Sequence, residues 1–155
     1  MADKIIKPQG EKKRRFPISA AAAVVAAAAL LLYLLAGGVS AEVDDSILTV
    51  KGFLDGTEIS VADIKEAKLI DAPENAVCRS GFRTAKYTAG EYYHVLIGEY
   101  KLFSYADADR LIAVVTDDQT VVFSLKTENE TEMFYKKLCE ILGYDKNDIE
   151  FRPSL

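Results

Sequence analysis

His94 is the only histidine among 155 residues, and it lies among tyrosines, with Ser104, Ser124, Asp107 and Asp109 downstream. A Ser-His-Asp set is recognised by a nucleophile on an exposed turn such as GxSxG, and neither serine sits in one. His94 therefore reads as a strand histidine bonded to a neighbour, and no catalytic residue is assigned. Cys78 and Cys139 show neither CxxC nor Cys/His spacing, and with one histidine in the chain the four N or S ligands of a structural zinc cannot be assembled. They read as two buried free thiols rather than a disulfide. The acidic pairs Asp44-Asp45, Asp107/Asp109 and Asp117-Asp118 lack EF-hand spacing and fit turn chemistry or loose Ca²⁺ contact better than acid/base work. The expectation is a protein that is not an enzyme, with no metal and no cofactor.

The remaining residue types with chemistry to offer are suited to recognition. Tyr87, Tyr92, Tyr93, Tyr100, Phe103 and Tyr105 crowd one stretch, with Arg79, Arg83 and Lys86 just before or within it. Strand aromatics pack across strands, but those facing outward form the flat aromatic surface of a protein interface. The basic residues form a patch along the same strands or pair with Glu66, Glu91 and Glu99 as solvated charges. The candidate interaction surface is thus Tyr87, Tyr92, Tyr93, Tyr100, Tyr105, Arg79, Arg83 and Lys86. A phosphoinositide headgroup demands clustered Lys and Arg at one loop pair. Between Thr49 and Glu58 the chain offers only Lys51 beside Asp55 and Glu58, which argues against that ligand.

Short β-type segments position these residues. Residues 47–51 and the run after Asp55-Gly56 read as a hairpin, residues 60–64 as a turn or single helical loop, and residues 64–70 as a strand broken by Pro73. Residues 76–87 follow as a long β region, and Thr88-Ala89-Gly90 reads as a break. Residues 92–97 then form a strand with Tyr93, Val95 and Ile97 on one face. Residues 100–105, 111–116 and 120–125 complete the series. Met133, Phe134, Leu138, Ile141 and Leu142 recur at helical spacing, with Thr127 or Thr131 to cap the start and Gly143 the end. The fold class is mainly β with one C-terminal helix.

Ahead of all this, residues 16–41 contain no charge and follow Lys12-Lys13-Arg14-Arg15. About 20 apolar residues in a helix cross a ~30 Å hydrocarbon layer, so this stretch is expected to be a single transmembrane helix. Val39-Ser40-Ala41 has the small-x-small form of a signal cleavage site, but the apolar run is longer than a signal core of ~7 to 15 residues. Residues 1–15 carry net +4 and residues 42–155 carry 13 Lys and Arg against 22 Asp and Glu, net −9. Retention of basic flanks in the cytoplasm places the N-terminus inside and the C-terminal domain outside. Nucleic acid is an unsuitable partner for an acidic domain on that side.

The expected domains are a basic tail at 1–15, the span at 16–41, an extracytoplasmic β domain at 42–143 and a tail at 144–155.

The segments Ile47-Leu48-Thr49-Val50-Lys51-Gly52-Phe53 and Asp63-Ile64-Lys65-Glu66-Ala67-Lys68-Leu69 resemble the opening of the bacterial PH-domain family found in membrane-associated proteins. Gly98-Glu99-Tyr100-Lys101-Leu102-Phe103, Ala113-Val114-Val115-Thr116 and Val121-Val122-Phe123-Ser124-Leu125 are similar to its middle and end, so that the resemblance covers most of residues 44–142. It implies a PH-like barrel of two near-orthogonal antiparallel sheets with a terminal helix. It also implies a membrane-tethered interaction or regulatory module without enzymatic activity. The alternative is a carrier or sensor that binds a small apolar ligand inside the β domain.

Overall fold

The structure, a computed structural model, describes residues 22–29, 31, 37–52 and 55–144. The chain divides into two compact units between Ala36 and Gly37. The basic tail expected at 1–15, residues 16–21, 30 and 32–36 of the expected span and all but Tyr144 of the expected C-terminal tail lie outside the described residues. Within the expected span, residues 22–29 are helical with exposed side chains. Among the described residues no helix is long and apolar enough to cross a membrane.

Among the described residues, nine strands and one α-helix make up the second unit. They are β1 (Ser40–Val43), β2 (Ile47–Lys51), β3 (Gly56–Ser60), β4 (Glu66–Asp71), β5 (Val77–Arg83), β6 (Tyr87–His94), β7 (Gly98–Tyr105), β8 (Arg110–Val115), β9 (Thr120–Phe123) and α1 (Glu128–Leu142). A 3-10 turn, Val61–Asp63, links β3 to β4 where the sequence suggests a helical loop. One sheet has the order β1-β2-β3 and the other β4-β8-β9-β7-β6-β5.

β1 corrects the expected end of the span at residue 41. Ser40 pairs with Lys51 and Ala41 with Val50, and Val39 and Val43 are buried with Leu48, Val50 and Ile59. Burial of apolar side chains and a row of antiparallel hydrogen bonds hold residues 39–43 in the β domain, whatever precedes them. Asp44 closes the β1–β2 turn by accepting from the Ser46 and Ile47 amides, both at 2.8 Å, and these donors hold its carboxyl below the usual range.

The second sheet is mixed, whereas the sequence suggests purely antiparallel sheets. β8 pairs antiparallel with both β4 and β9, and β9 then lies parallel to β7, with Lys101 opposite Val121 and Phe103 opposite Phe123. The tight turn closed by the Thr116 amide on the Gln119 carbonyl, at 2.9 Å, folds β9 back into the gap between β8 and β7. Insertion there makes the β7–β9 neighbours parallel.

Leu48, Val50, Ile112, Val114, Val121, Phe123 and Leu138 form the main core between the sheets and α1. Thr127 caps the helix by accepting from the Glu130 amide at 3.2 Å, and Gly143 ends it at φ 72°. The helix is tied down by Tyr135, whose hydroxyl donates to the Ala67 carbonyl at 3.4 Å, and by Lys137, which donates to the Val43 carbonyl at 3.1 Å.

Candidate interaction surface

Register decides which aromatic residues are available. Along β5, β6 and β7 the rows facing the core side run Tyr87–Tyr105, then Phe82–Ala89–Phe103, then Ser80–Glu91–Lys101, then Val77–Tyr93–Glu99. The first two rows lie under the core. Farther along the strands, Tyr93 is 37% exposed and Val77 56%. Val95 and Leu96, in the β6–β7 turn, are 76% and 57% exposed. Four exposed large apolar side chains therefore gather at one end of the sheet.

The expected strand at 92–97 stops at His94. Residues 95–97 form the turn, closed by the Ile97 amide on the His94 carbonyl at 3.2 Å, with Gly98 at φ 84°. No proline or asparagine marks the turn, so its apolar residues read as strand.

Tyr93 has its partner on the neighbouring strand. The Arg79 guanidinium lies 5.5 Å from the centre of its ring and 4.0 Å from the Glu99 carboxylate. A cation over an exposed ring is attracted by about 0.5–1 kcal/mol. Beside it, the Ser80 hydroxyl donates to Glu91 at 3.2 Å.

A groove of about 270 Å³ lies over this row beside Asp55, lined also by Phe82, Phe103, Glu91 and Lys101. Its floor is the cross-strand pair Gly81–Gly90. Both glycines have positive φ, 138° and 143°, and a Cβ on Gly90 would come within 2.6 Å of the Gly81 Cα. The sequence reads Thr88-Ala89-Gly90 as a break, but the strand runs straight through, because two facing glycines let β5 and β6 approach where side chains would part them.

The other expected surface residues are placed elsewhere. Tyr92 and Tyr100 lie on the opposite face, buried with Ile70, Leu102, Leu111, Ala113 and Val122, their ring centres 6.1 Å apart. Burial first, then a hydrogen bond with the Cys78 thiol, pushes the Tyr92 hydroxyl up to about 12. Among the described residues the buried Tyr100 hydroxyl has no hydrogen-bond partner, and its titration is likewise raised by burial. Tyr87 and Tyr105 form an edge-to-face pair at 5.0 Å against the core. Arg83 and Lys86 are exposed, at the end of β5 and in the following turn. Of the eight expected residues, only Tyr93 and Arg79 meet at the open end.

Other sequence candidates resolve into structural roles. Ser104 and Ser124 bond to each other at 3.1 Å in the interior. Ser104 pairs with Thr88, six residues along β6 from His94 and so about 20 Å away, which precludes a triad. The His94 Nδ1 accepts from the Leu96 amide at 3.3 Å. Lys65 pairs with Asp117 and Lys68 with Glu66. Both cysteines are free; Cys139 is buried as expected, but Cys78 is exposed because β5 is an edge strand.

What sequence reasoning missed is the lining of the groove. Phe82, Glu91 and the glycine pair come together only through strand register. In comparisons with known proteins, residues 39–139 match the family described as "Bacterial PH domain". No curated protein and no solved structure matches the chain.

Proposed function

The chain belongs to the bacterial PH-domain family, and from that membership we propose that it is a membrane-anchored interaction or regulatory module without catalytic activity, its β domain exposed outside the cytoplasm. The observation that carries the reading is the open end of the β5–β7 face. There Tyr93 lies beneath Arg79 next to exposed Val77, Val95 and Leu96. Exposed apolar and aromatic side chains with a stacked arginine are the composition of a protein-binding surface. Anchoring is supported by the uncharged run behind four basic residues and by a helix at 22–29 whose apolar side chains face outward.

The groove favours a protein partner over the alternative, a small apolar ligand. Ligand pockets measure about 300–1,000 Å³ and enclose their contents. At about 270 Å³ and open to one side, this groove suits one large side chain of a partner. Native mass spectrometry that finds an apolar molecule retained by the purified chain would reverse that order.

The test is a photo-crosslinking amino acid placed at Tyr93, with Met133 on the exposed side of α1 as control, in membranes of the native host. The proposal expects a discrete crosslinked protein from position 93 and none from 133. Equal labelling from both positions, or none from either, would overturn it.

A further inference from the structure

The open end of β5–β7 carries charges of both signs around its apolar side chains. Val77, Tyr93, Val95 and Leu96 are exposed there, and Arg79 reaches across the Tyr93 ring toward Glu99. That ion pair is loose, with nitrogen and oxygen 4.0 Å apart and the two side chains 59% and 80% exposed. Solvated charges at this separation contribute little within one chain, and either of them can take a partner from outside it.

Local charge decides which partner fits. Residues 42–155 hold 22 Asp and Glu against 13 Lys and Arg, so two copies of the domain repel over most of their surface. At this end the balance is different. Along the rows Val77–Tyr93–Glu99 and Ser80–Glu91–Lys101, with Arg79 beside them, Arg79 and Lys101 offset Glu91 and Glu99. Two copies can meet here without the repulsion they face elsewhere.

The arrangement is also self-complementary. β6 lies between β5 and β7, so a twofold axis running along β6 lays the β5 side of one copy over the β7 side of the other. Arg79 of each copy then faces Glu99 of the other, and Tyr93 faces its own counterpart. A surface that pairs with itself in this way forms an isologous interface. A handful of side chains is fewer than the about 20–30 residues a side of a standard interface. Such a contact holds two copies together where an anchor already confines them to one membrane and raises their effective concentration.

Resting on the membrane-anchored module reading above, we infer that the partner at this end is a second copy of the same chain, docked about a twofold axis along β6 with the two Arg79–Glu99 pairs exchanged between copies.

The experiment uses full-length chains labelled at the C-terminus with a donor or an acceptor dye and reconstituted together in phosphatidylcholine vesicles at a large excess of lipid. Pairing is read as energy transfer that unlabelled chain competes away. Arg79→Glu puts two carboxylates face to face at each contact, and Glu99→Arg puts two guanidinium groups there. Each variant by itself should pair about fivefold more weakly, from two exposed charge pairs per dimer. Mixing the Arg79→Glu chain with the Glu99→Arg chain restores opposite charges at both contacts, and transfer should return to the level of the unaltered chain. An ion pair within one chain cannot produce that rescue. Val95→Asp/Leu96→Asp, in the exposed turn, should weaken pairing at least as much.

Transfer that unlabelled chain does not compete overturns the inference, as does equal transfer from every variant or a mixture that pairs no better than its two components. Should the charge variants fail to fold, undiminished transfer in Val95→Asp/Leu96→Asp overturns it and loss of transfer supports it. A Tyr93 crosslink to a different protein would remove the second copy while leaving the module reading intact, and failure of the Tyr93 crosslink would remove that reading itself.

Discussion

Replacing Gly90 with alanine tests the geometry on which the groove and the placement of β5 both depend. At φ 143° an alanine is strained by about 1–3 kcal/mol. Its Cβ would also lie 2.6 Å from the Gly81 Cα and closer still to the Ser80 carbonyl oxygen, both of them backbone atoms that cannot rotate away. β5 must therefore move off β6. A loss of about 2 kcal/mol is a large share of the ~5–15 kcal/mol that stabilises a domain of this size. It corresponds to a fall in melting temperature of about 8–16 °C.

Gly98→Ala is the control, because Gly98 also has positive φ, 84°, but a Cβ there meets nothing within 4 Å. That substitution should cost only the backbone strain, about 1 kcal/mol. Thermal melting by circular dichroism gives the order, and hydrogen exchange should show residues 77–83 opening in Gly90→Ala while β8 and β9 stay protected. If Gly90→Ala melts no lower than Gly98→Ala, the close approach of β5 and β6 is wrong.

Thr127→Ala removes the acceptor of the Glu130 amide at the start of α1 and should lower stability by about 1 kcal/mol in chemical denaturation, with the midpoint reduced and the slope unchanged. Burial raises the titration of Tyr92, Tyr100, Tyr105 and Tyr135 above the ordinary 10. Because the folded state holds these hydroxyls neutral, their contribution is complete below pH 10 and is lost as pH rises toward about 12 for Tyr92. The melting temperature should fall across that window, less steeply in Tyr92→Phe. A thiol reagent should modify one cysteine, Cys78, in the native protein and Cys139 only on unfolding, since Cys139 is buried and its thiol is pushed up by that burial.

Local signals carried the helix and most strands. Thr127, the apolar spacing of Met133 to Leu142, and Gly143 are near neighbours in the chain, and each acts within a turn or two of its own position. β1 was hidden because Val39-Ser40-Ala41 continues an apolar run, and what makes it a strand is pairing with Val50 and Lys51. Gly90 was misread for a related reason: a lone strand glycine looks like a break until its partner Gly81 is known. The parallel β7–β9 pairing has no local signature at all. At the candidate surface, residue type was legible and orientation was not. Tyr92 and Tyr93 are adjacent and chemically identical, yet alternation along β6 buries the first and exposes the second.

An anchored module facing outward is tested by protease shaving of intact cells that express the chain with a C-terminal tag, alongside membrane fractionation. The expected result is full-length protein in the membrane fraction and loss of the tag to protease added outside. A tag protected until the cells are lysed would contradict the orientation, and a shortened protein in the soluble fraction would contradict the anchor.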